Sequence, residues 1–169
     1  MLIDTHAHLY FEHFDADREE VIRRAREGNV ARIINIGVDL PTSRRCIEMA
    51  EQHPGLFAAV GVHPNDSADF GDEAIAALKE LAGHPRVVAI GEIGLDFYRD
   101  RSPAELQERA FRMQIRLAKE VGLPIVIHNR SAGWEILRVL ESEGTDGLRG
   151  VFHCFSEDAE LAERVLEMG

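Results

Sequence analysis

The chain contains the segment Val87-Val88-Ala89-Ile90-Gly91-Glu92-Ile93-Gly94-Leu95-Asp96, an apolar run that leads into a glycine-flanked carboxylate. The run has little polar alternation, which is typical of a parallel strand buried on both faces. Similar runs span Met1 to Ile3, Arg32 to Ile36, Leu56 to Val60, Pro124 to Ile127 and Gly150 to Phe152. A longer amphipathic stretch follows each of them. The sequence therefore predicts six consecutive β-α units.

The stretches between the runs have the features of helices. Predicted helices include Asp17 to Glu27, Thr42 to Gln52, Asp72 to Leu81 and, at the end, Asp158 to Met168. In the fourth helix, Ser102 is the predicted N-cap, Pro103 the first helical residue and Gly122 the stop. Ser131 is the predicted N-cap of the fifth helix, and Gly169 closes the sixth.

Six parallel strands fit two α/β architectures. One is an open doubly wound sheet, and the other is three quarters of an eightfold β/α barrel. Periodicity alone does not choose between them. No linker or low-complexity tract interrupts the pattern, so we expect a single domain over residues 1–169.

Composition excludes several classes of protein. Hydrophobic residues make up 45% and charged residues 29% of the chain, as in soluble globular proteins. No stretch approaches the roughly 20 apolar residues that span a bilayer, and no secretory signal is recognisable, so we expect no membrane association. Cys46 and Cys154 lie far apart and form no disulfide framework, which favours a cytoplasmic location.

The formal net charge of −11 argues against a broad basic surface that coats nucleic acid. The net charge is compatible with an enzyme that binds a few phosphate groups at one site, because bound cations can dominate the charge of a site.

Candidate metal ligands follow the apolar runs, at the edge of a parallel sheet where active sites gather. His6 and His8 are two residues apart on an extended segment, so both side chains can reach one ion. Glu92 can bridge two cations with its two carboxylate oxygens. The alternative for Glu92 is a loop acid paired with an arginine.

His128 and His153 each end an apolar run, on the two strands that follow the Glu92 strand. Singly, each would be a hydrogen-bonded core histidine, but together they indicate a metal site. Cys154 is a possible thiolate ligand that we interpret as a small buried residue. His63, on the same edge, is a candidate substrate-binding residue, as is Arg130.

Five motifs in order resemble one known family. They are Asp4-Thr5-His6-Ala7-His8-Leu9, Gly61-Val62-His63-Pro64, Gly91-Glu92-Ile93-Gly94-Leu95-Asp96, Ile127-His128-Asn129-Arg130 and Phe152-His153-Cys154-Phe155-Ser156. Together these motifs resemble the TatD family of metal-dependent deoxyribonucleases, within the amidohydrolase-like barrels. The resemblance covers the whole chain.

The resemblance implies a TIM-type barrel with two divalent ions, Mg²⁺, Mn²⁺ or Zn²⁺, and DNA as substrate. By similarity, His6 and His8 bind one ion, His128 and His153 bind the other, and Glu92 bridges them. Two such ions activate a water and stabilise charge on the scissile phosphate.

The family pattern continues through two further β-α units, and a late strand there supplies an aspartate to the metal site. This chain carries only the first six of the eight units, so we assign no catalytic base. We expect a fragment of a longer protein. Self-association through exposed barrel edges and a truncated metal-binding relative without turnover are the alternatives.

A metal-dependent hydrolase of a small-molecule amide or ester is a further alternative, because the same ligand set serves such chemistry. Lys79 and Lys119 both lie in helix patterns, so no carbamylated lysine is evident at a strand end. That absence favours a bridging glutamate.

Overall fold

The computed structural model describes residues 1–99 and 101–168 as alternating strands and helices. The strands are β1 (Leu2–Ala7), β2 (Val30–Ile36), β3 (Leu56–Val60), β4 (Val87–Asp96), β5 (Ile125–Arg130) and β6 (Gly150–Phe152). The helices are α1 (Arg18–Glu27), α2 (Leu40–Gln52), α3 (Asp72–Ala82), α4 (Ala104–Val121), α5 (Gly133–Glu143) and α6 (Ala159–Glu167). Short 3₁₀ turns occupy Glu12–Phe14 and Pro64–Asp66. The predicted series of six β-α units is confirmed.

All six strands lie parallel in one sheet, in the order β1 to β6. Strands in a flat sheet are about 4.8 Å apart, so β1 and β6 would then be separated by roughly 24 Å. Instead, the rings of His6 on β1 and His153 after β6 stack with centroids 3.4 Å apart. The sheet therefore curls as part of a barrel, and an eight-unit barrel remains a prediction.

The two faces of the sheet carry different apolar clusters. The larger cluster lies under the helices and includes the fully buried Phe111 and Ile115 of α4. A smaller cluster takes one side chain from each of four consecutive strands: Ile36, Ala59, Ala89 and Val126. Alanine at two of these positions leaves room for the concave face to curl. None of the described helices is long and apolar enough to cross a membrane.

The start of α4 differs from the prediction. Pro103 occupies the N-cap position, and no side chain caps the helix. The hydroxyl of Ser102 is buried and lies 3.2 Å from the Ser67 hydroxyl, so a tertiary contact replaces the predicted cap. Gly122 ends the helix in the left-handed conformation, with φ of 71°, as predicted.

The start of α5 also differs from the prediction, which made Ser131 the N-cap. Ala132 holds that position, and Ser131 adopts a positive φ of 56°. The side chain of Asn129 accepts a hydrogen bond from the Ala132 amide at 3.2 Å, and no side chain caps the first turn of the helix. Gly169, predicted to close the last helix, lies outside the described residues.

Close backbone contact between β4 and β5 sets the geometry of the strand ends. Gly94 pairs with His128 in the sheet and has φ of 144°, a conformation that side-chain-bearing residues rarely adopt. A Cβ atom at Gly94 would lie only 2.1 Å from the His128 carbonyl oxygen. Only glycine allows the two strands to approach this closely, between Glu92 and Asp96.

Replacing Gly94 with alanine should therefore force the two strands apart. We expect Gly94→Ala to lower the free energy of unfolding by about 3 kcal/mol or more, as measured by urea denaturation. Gly147→Ala is the control, because Gly147 also has a positive φ (73°) but nothing lies within 4 Å of the added Cβ. The control should lose about 1–2 kcal/mol, the cost of the backbone conformation alone. Equal losses in the two variants would show that the close approach does not matter.

Candidate metal centre

The structure places every predicted site residue around one cleft of about 480 Å³ at the carboxyl ends of the strands. These residues are His6, His8, His63, Glu92, His128, Arg130 and His153. They lie on five strands or within three residues of the ends of those strands. The parallel sheet brings them together because all its strands end on the same side.

The first group of potential ligands joins the β1 histidines to Glu92. His6 Nε2 lies 3.2 Å from His8 Nε2 and 3.4 Å from Glu92 Oε2. His8 Nε2 lies 4.0 Å from the same carboxylate oxygen. These three atoms converge on one point, as the ligands of a single cation would.

The backbone fixes the protonation pattern of His8. Its Nδ1 lies 2.9 Å from the Ile36 carbonyl oxygen, which can only accept, so Nδ1 carries the proton. Burial and the neighbouring His6 lower the pKa of His8, although Glu92 acts to raise it. The neutral ring therefore presents an Nε2 lone pair to the cleft, which is the form that binds a metal ion.

The second group of potential ligands comprises His63, Glu92 and His128. Glu92 Oε1 lies 2.8 Å from His128 Nδ1, on the opposite side of the carboxylate from the β1 histidines. Glu92 thus presents one oxygen to each group. This arrangement is the one expected of a carboxylate that bridges two cations.

His63 and His153 occupy places that differ from the roles assigned by resemblance. His63 was predicted to bind substrate, but it belongs to the second group of potential ligands. The ring centroids of His63 and His128 lie 4.2 Å apart. His153 stacks on His6 with an interplanar angle of 11°. Both histidines line the cleft, and the assignment of His153 as the ligand that holds an ion with His128 remains a prediction.

The electrostatics of the centre suit divalent cations. Burial acts to raise the pKa of Glu92, but hydrogen bonds and charges from His128 and His6 outweigh burial and hold the pKa well below its usual value. Burial and the nearby His128 lower the pKa of His63 to about 4, despite the opposite effect of Glu92 and Asp96. Near neutral pH the centre therefore offers the ionised Glu92 carboxylate to a divalent cation, whereas neutral His63 accepts a hydrogen bond from the Asn65 amide at Nδ1 (3.1 Å) and so carries its hydrogen on Nε2.

A buried carboxylate that the sequence reading overlooked lies behind the second group. Asp96, only 1% exposed, accepts hydrogen bonds at Oδ1 from the amides of Tyr98 (3.0 Å) and Arg99 (2.9 Å). Its Oδ2 accepts from the Asn65 side chain at 3.0 Å and lies 3.2 Å from His128 Nε2. Asp96 falls four residues after Glu92 on an extended strand, so period-two alternation could have revealed that the two share a face.

Burial acts to raise the pKa of Asp96, but four interactions lower it overall. They are the hydrogen bonds from the Arg99 amide, the Asn65 side chain and the Tyr98 amide, and the charge of His128. Asp96 is therefore ionised near neutral pH and only accepts hydrogen bonds.

Arginines form one side of the cleft. Arg99 and Arg101 line it together with the predicted Arg130. The Arg130 guanidinium lies over the Tyr98 ring, 4.9 Å from its centroid, and this stacking orients the side chain. Arg99 and Arg101 follow the Asp96 strand end without any sequence pattern, so only the folded chain reveals where they lie.

The prediction that Cys154 is a small buried residue is wrong. The side chain is exposed and lines the cleft. Strand β6 ends at Phe152, and Cys154 has a positive φ of 48°, so the alternation of strand faces no longer applies there.

Comparison with known proteins agrees with these features. The family model described as TatD related DNase matches residues 3–169. A Bacillus subtilis protein named "Uncharacterized metal-dependent hydrolase YabD" is 49% identical over 168 residues, which cover 99% of this chain and 66% of that protein. A Cronobacter sakazakii protein named "3'-5' ssDNA/RNA exonuclease TatD" is 38% identical over 169 residues, or 99% of this chain and 64% of that protein. The chain thus spans slightly less than two thirds of these relatives.

Solved structures show the same fold. YJJV, a TatD homologue from Escherichia coli K12, superposes with a TM-score of 0.91 at 32% identity, covering 99% of this chain and 65% of that chain. A hydrolase of the TatD family from Entamoeba histolytica gives a TM-score of 0.90 at 26% identity, with coverage of 99% and 62%. The family model spans nearly every residue, and the motif resemblance predicted the same assignment. The chain belongs to the TatD-related DNase family.

Proposed function

We propose that this protein is a metal-dependent hydrolase that cleaves phosphodiester bonds of DNA. The observation that carries the proposal is the position of Glu92, whose two oxygens face two separate groups of histidines. The names of relatives such as the Cronobacter exonuclease support a nucleic acid as substrate.

Two divalent cations, Mg²⁺, Mn²⁺ or Zn²⁺, would occupy the centre. His6, His8 and Glu92 Oε2 would hold one, and Glu92 Oε1, His128 and His153 would hold the other. Imidazole ligands suit Zn²⁺, whereas carboxylate ligands suit Mg²⁺ and Mn²⁺. Bound cations supply Lewis-acid stabilisation of the charge that develops on the phosphate oxygens.

The residues around the cations would bind the rest of the strand. Arg99, Arg101 and Arg130 can donate paired hydrogen bonds to phosphate oxygens, which guanidinium geometry matches well. Phe11, which is 41% exposed, lines the cleft and offers a face on which a base can stack. The positive charges of the three arginines favour an anionic phosphodiester over a neutral amide or ester as substrate, even though the net charge of the whole chain is −11.

The first test measures cleavage of a labelled single-stranded oligonucleotide with Mg²⁺, Mn²⁺ and Zn²⁺ in turn. We expect metal-dependent cleavage that a chelator abolishes. Glu92→Gln should reduce the rate by more than the roughly 10–100-fold that loss of an outer-shell partner costs, because it removes the shared ligand. Glu73→Gln, an exposed change on α3, is the matched control and should retain full activity.

Failure to cleave in every metal would contradict the nuclease proposal. A chain that binds two Mn²⁺ ions by calorimetry without cleaving would be a metal-binding relative without turnover. A chain that instead hydrolyses ester or amide substrates would support the small-molecule alternative.

The second test concerns Arg130. We expect Arg130→Ala to raise KM for the oligonucleotide more than it lowers kcat, because the guanidinium would bind ground state and transition state alike. The slope of log kcat/KM against log salt should become shallower by about 0.7, the value for one phosphate contact to a single strand. Arg26→Ala, exposed and outside the cleft, should leave both quantities unchanged. An unchanged slope in Arg130→Ala would exclude a phosphate contact.

A further inference from the structure

We propose that Tyr98 is a platform on which a nucleobase of the substrate strand stacks, on the face of the ring opposite the Arg130 guanidinium. This inference rests on the proposed function and deepens it, because it adds a binding site for a base beside a residue that would bind phosphate. The ligand is the unpaired aromatic base of a single-stranded nucleic acid.

The Tyr98 side chain is open to solvent at the edge of the cleft. Its exposed fraction is 68%, against 41% for Phe11, which lines the cleft itself. The guanidinium of Arg130, another residue of the cleft, covers one face of the Tyr98 ring at 4.9 Å from the ring centroid. A ring that has one face covered and most of its surface exposed presents the other face to solvent.

The turn after β4 holds the Tyr98 ring in this place. Asp96 Oδ1 accepts hydrogen bonds from the amides of Tyr98 (3.0 Å) and Arg99 (2.9 Å). The Phe97 amide donates to the Arg130 carbonyl oxygen at 2.9 Å, which ties the turn to the end of β5. Because these bonds already order the backbone, binding a base on Tyr98 costs little further conformational entropy.

The pairing of a cation with an aromatic ring matches the two parts of a nucleotide. The Arg130 guanidinium can bind a phosphate oxygen in the cleft. Tyr98 presents a π face next to it, and every nucleobase has a π face that stacks on an aromatic side chain. One sugar joins the base and the phosphate of a nucleotide, so a strand whose phosphate contacts Arg130 carries a base within reach of Tyr98.

Phe11 shows the same arrangement at another strand end. The His8 ring stacks on Phe11 with centroids 5.0 Å apart and an interplanar angle of 19°. Phe11 follows β1, whereas Tyr98 follows β4, so the two rings belong to separate elements. Each exposed ring is thus backed by one residue of the cleft, and the two rings can bind two different bases of one strand.

Stacking on Tyr98 requires an unpaired base. In a duplex, the neighbouring bases occupy both faces of each internal base, and a base must leave the stack before a side chain can reach its face. A single strand has no such requirement. The site therefore fits a single strand or a frayed end, and it is tolerant of sequence because it contacts no base edge.

The simpler explanation is that Tyr98 only orients Arg130. In that case, loss of the ring would weaken the binding of any strand that has phosphates, whether or not the strand has bases. If a base stacks on Tyr98, loss of the ring weakens only the binding of a strand that has bases. A strand without bases therefore separates the two explanations.

The test compares Tyr98→Ala with the wild type for two single strands of equal length. Both strands carry phosphorothioate linkages, which resist hydrolysis, and one of them has an abasic sugar at every position. Binding is measured by fluorescence anisotropy in the presence of Mn²⁺. We expect Tyr98→Ala to weaken the binding of the strand with bases roughly 5- to 150-fold and to leave the binding of the abasic strand nearly unchanged.

Tyr98→Phe and Leu166→Ala are the matched controls. Phenylalanine keeps the π face, so Tyr98→Phe should bind both strands as the wild type does. Leu166 on α6 is 79% exposed and lies outside the cleft, so Leu166→Ala removes an exposed apolar side chain without changing the binding of either strand. Because the Tyr98 side chain is exposed, Tyr98→Ala should fold as the wild type does, which circular dichroism checks.

Equal weakening of both strands by Tyr98→Ala would overturn the proposal and would leave Tyr98 with the orientation of Arg130 alone. Unchanged binding of both strands, or a wild type that binds the two strands equally, would also overturn it. Absence of cleavage of an ordinary oligonucleotide would count against the proposed function alone, because the stacking site is measured by the binding of strands that are not cleaved.

Discussion

The centre depends on one buried carboxylate that two groups of histidines share. Glu92 is 4% exposed, and moving an ionised carboxylate out of water costs several kcal/mol unless partners compensate. His6 on one side and His128 on the other supply that compensation, and they hold the pKa of Glu92 well below its usual value. The remaining polar groups of the cleft are arranged around this shared charge.

The strand geometry makes the sharing possible. Curling of the sheet brings β1 close to the end of β6, so His6 and His153 stack across the mouth of the cleft. The glycine at position 94 lets β4 and β5 approach until Glu92 and His128 touch. Small side chains on the concave face thus allow the sheet to curl, and the glycine at position 94 allows β4 and β5 to come close together.

The fold and the group of residues that lines the cleft were predictable from the sequence to a large extent. Unbroken apolar runs with histidine or glutamate at their ends predicted both the parallel strands and the edge on which Glu92 lies. Predictions of the residues that cap individual helices were less reliable. Ser102 and Ser131 resembled helix caps, yet the Ser102 hydroxyl contacts Ser67, which is distant in sequence, and Ser131 has a positive φ and lies one residue before the N-cap of α5.

The sequence by itself determined the alternation of strands and helices, the family and the residues that meet at the strand ends, because all of these follow from short-range periodicity and motif order. Only the tertiary structure decided which of those residues lie close to one another in the cleft. It placed His63 beside His128, set Asp96 behind that ring and left Cys154 exposed. Distances between side chains on different strands depend on sheet curl and strand spacing, and these arise only when distant segments pack together.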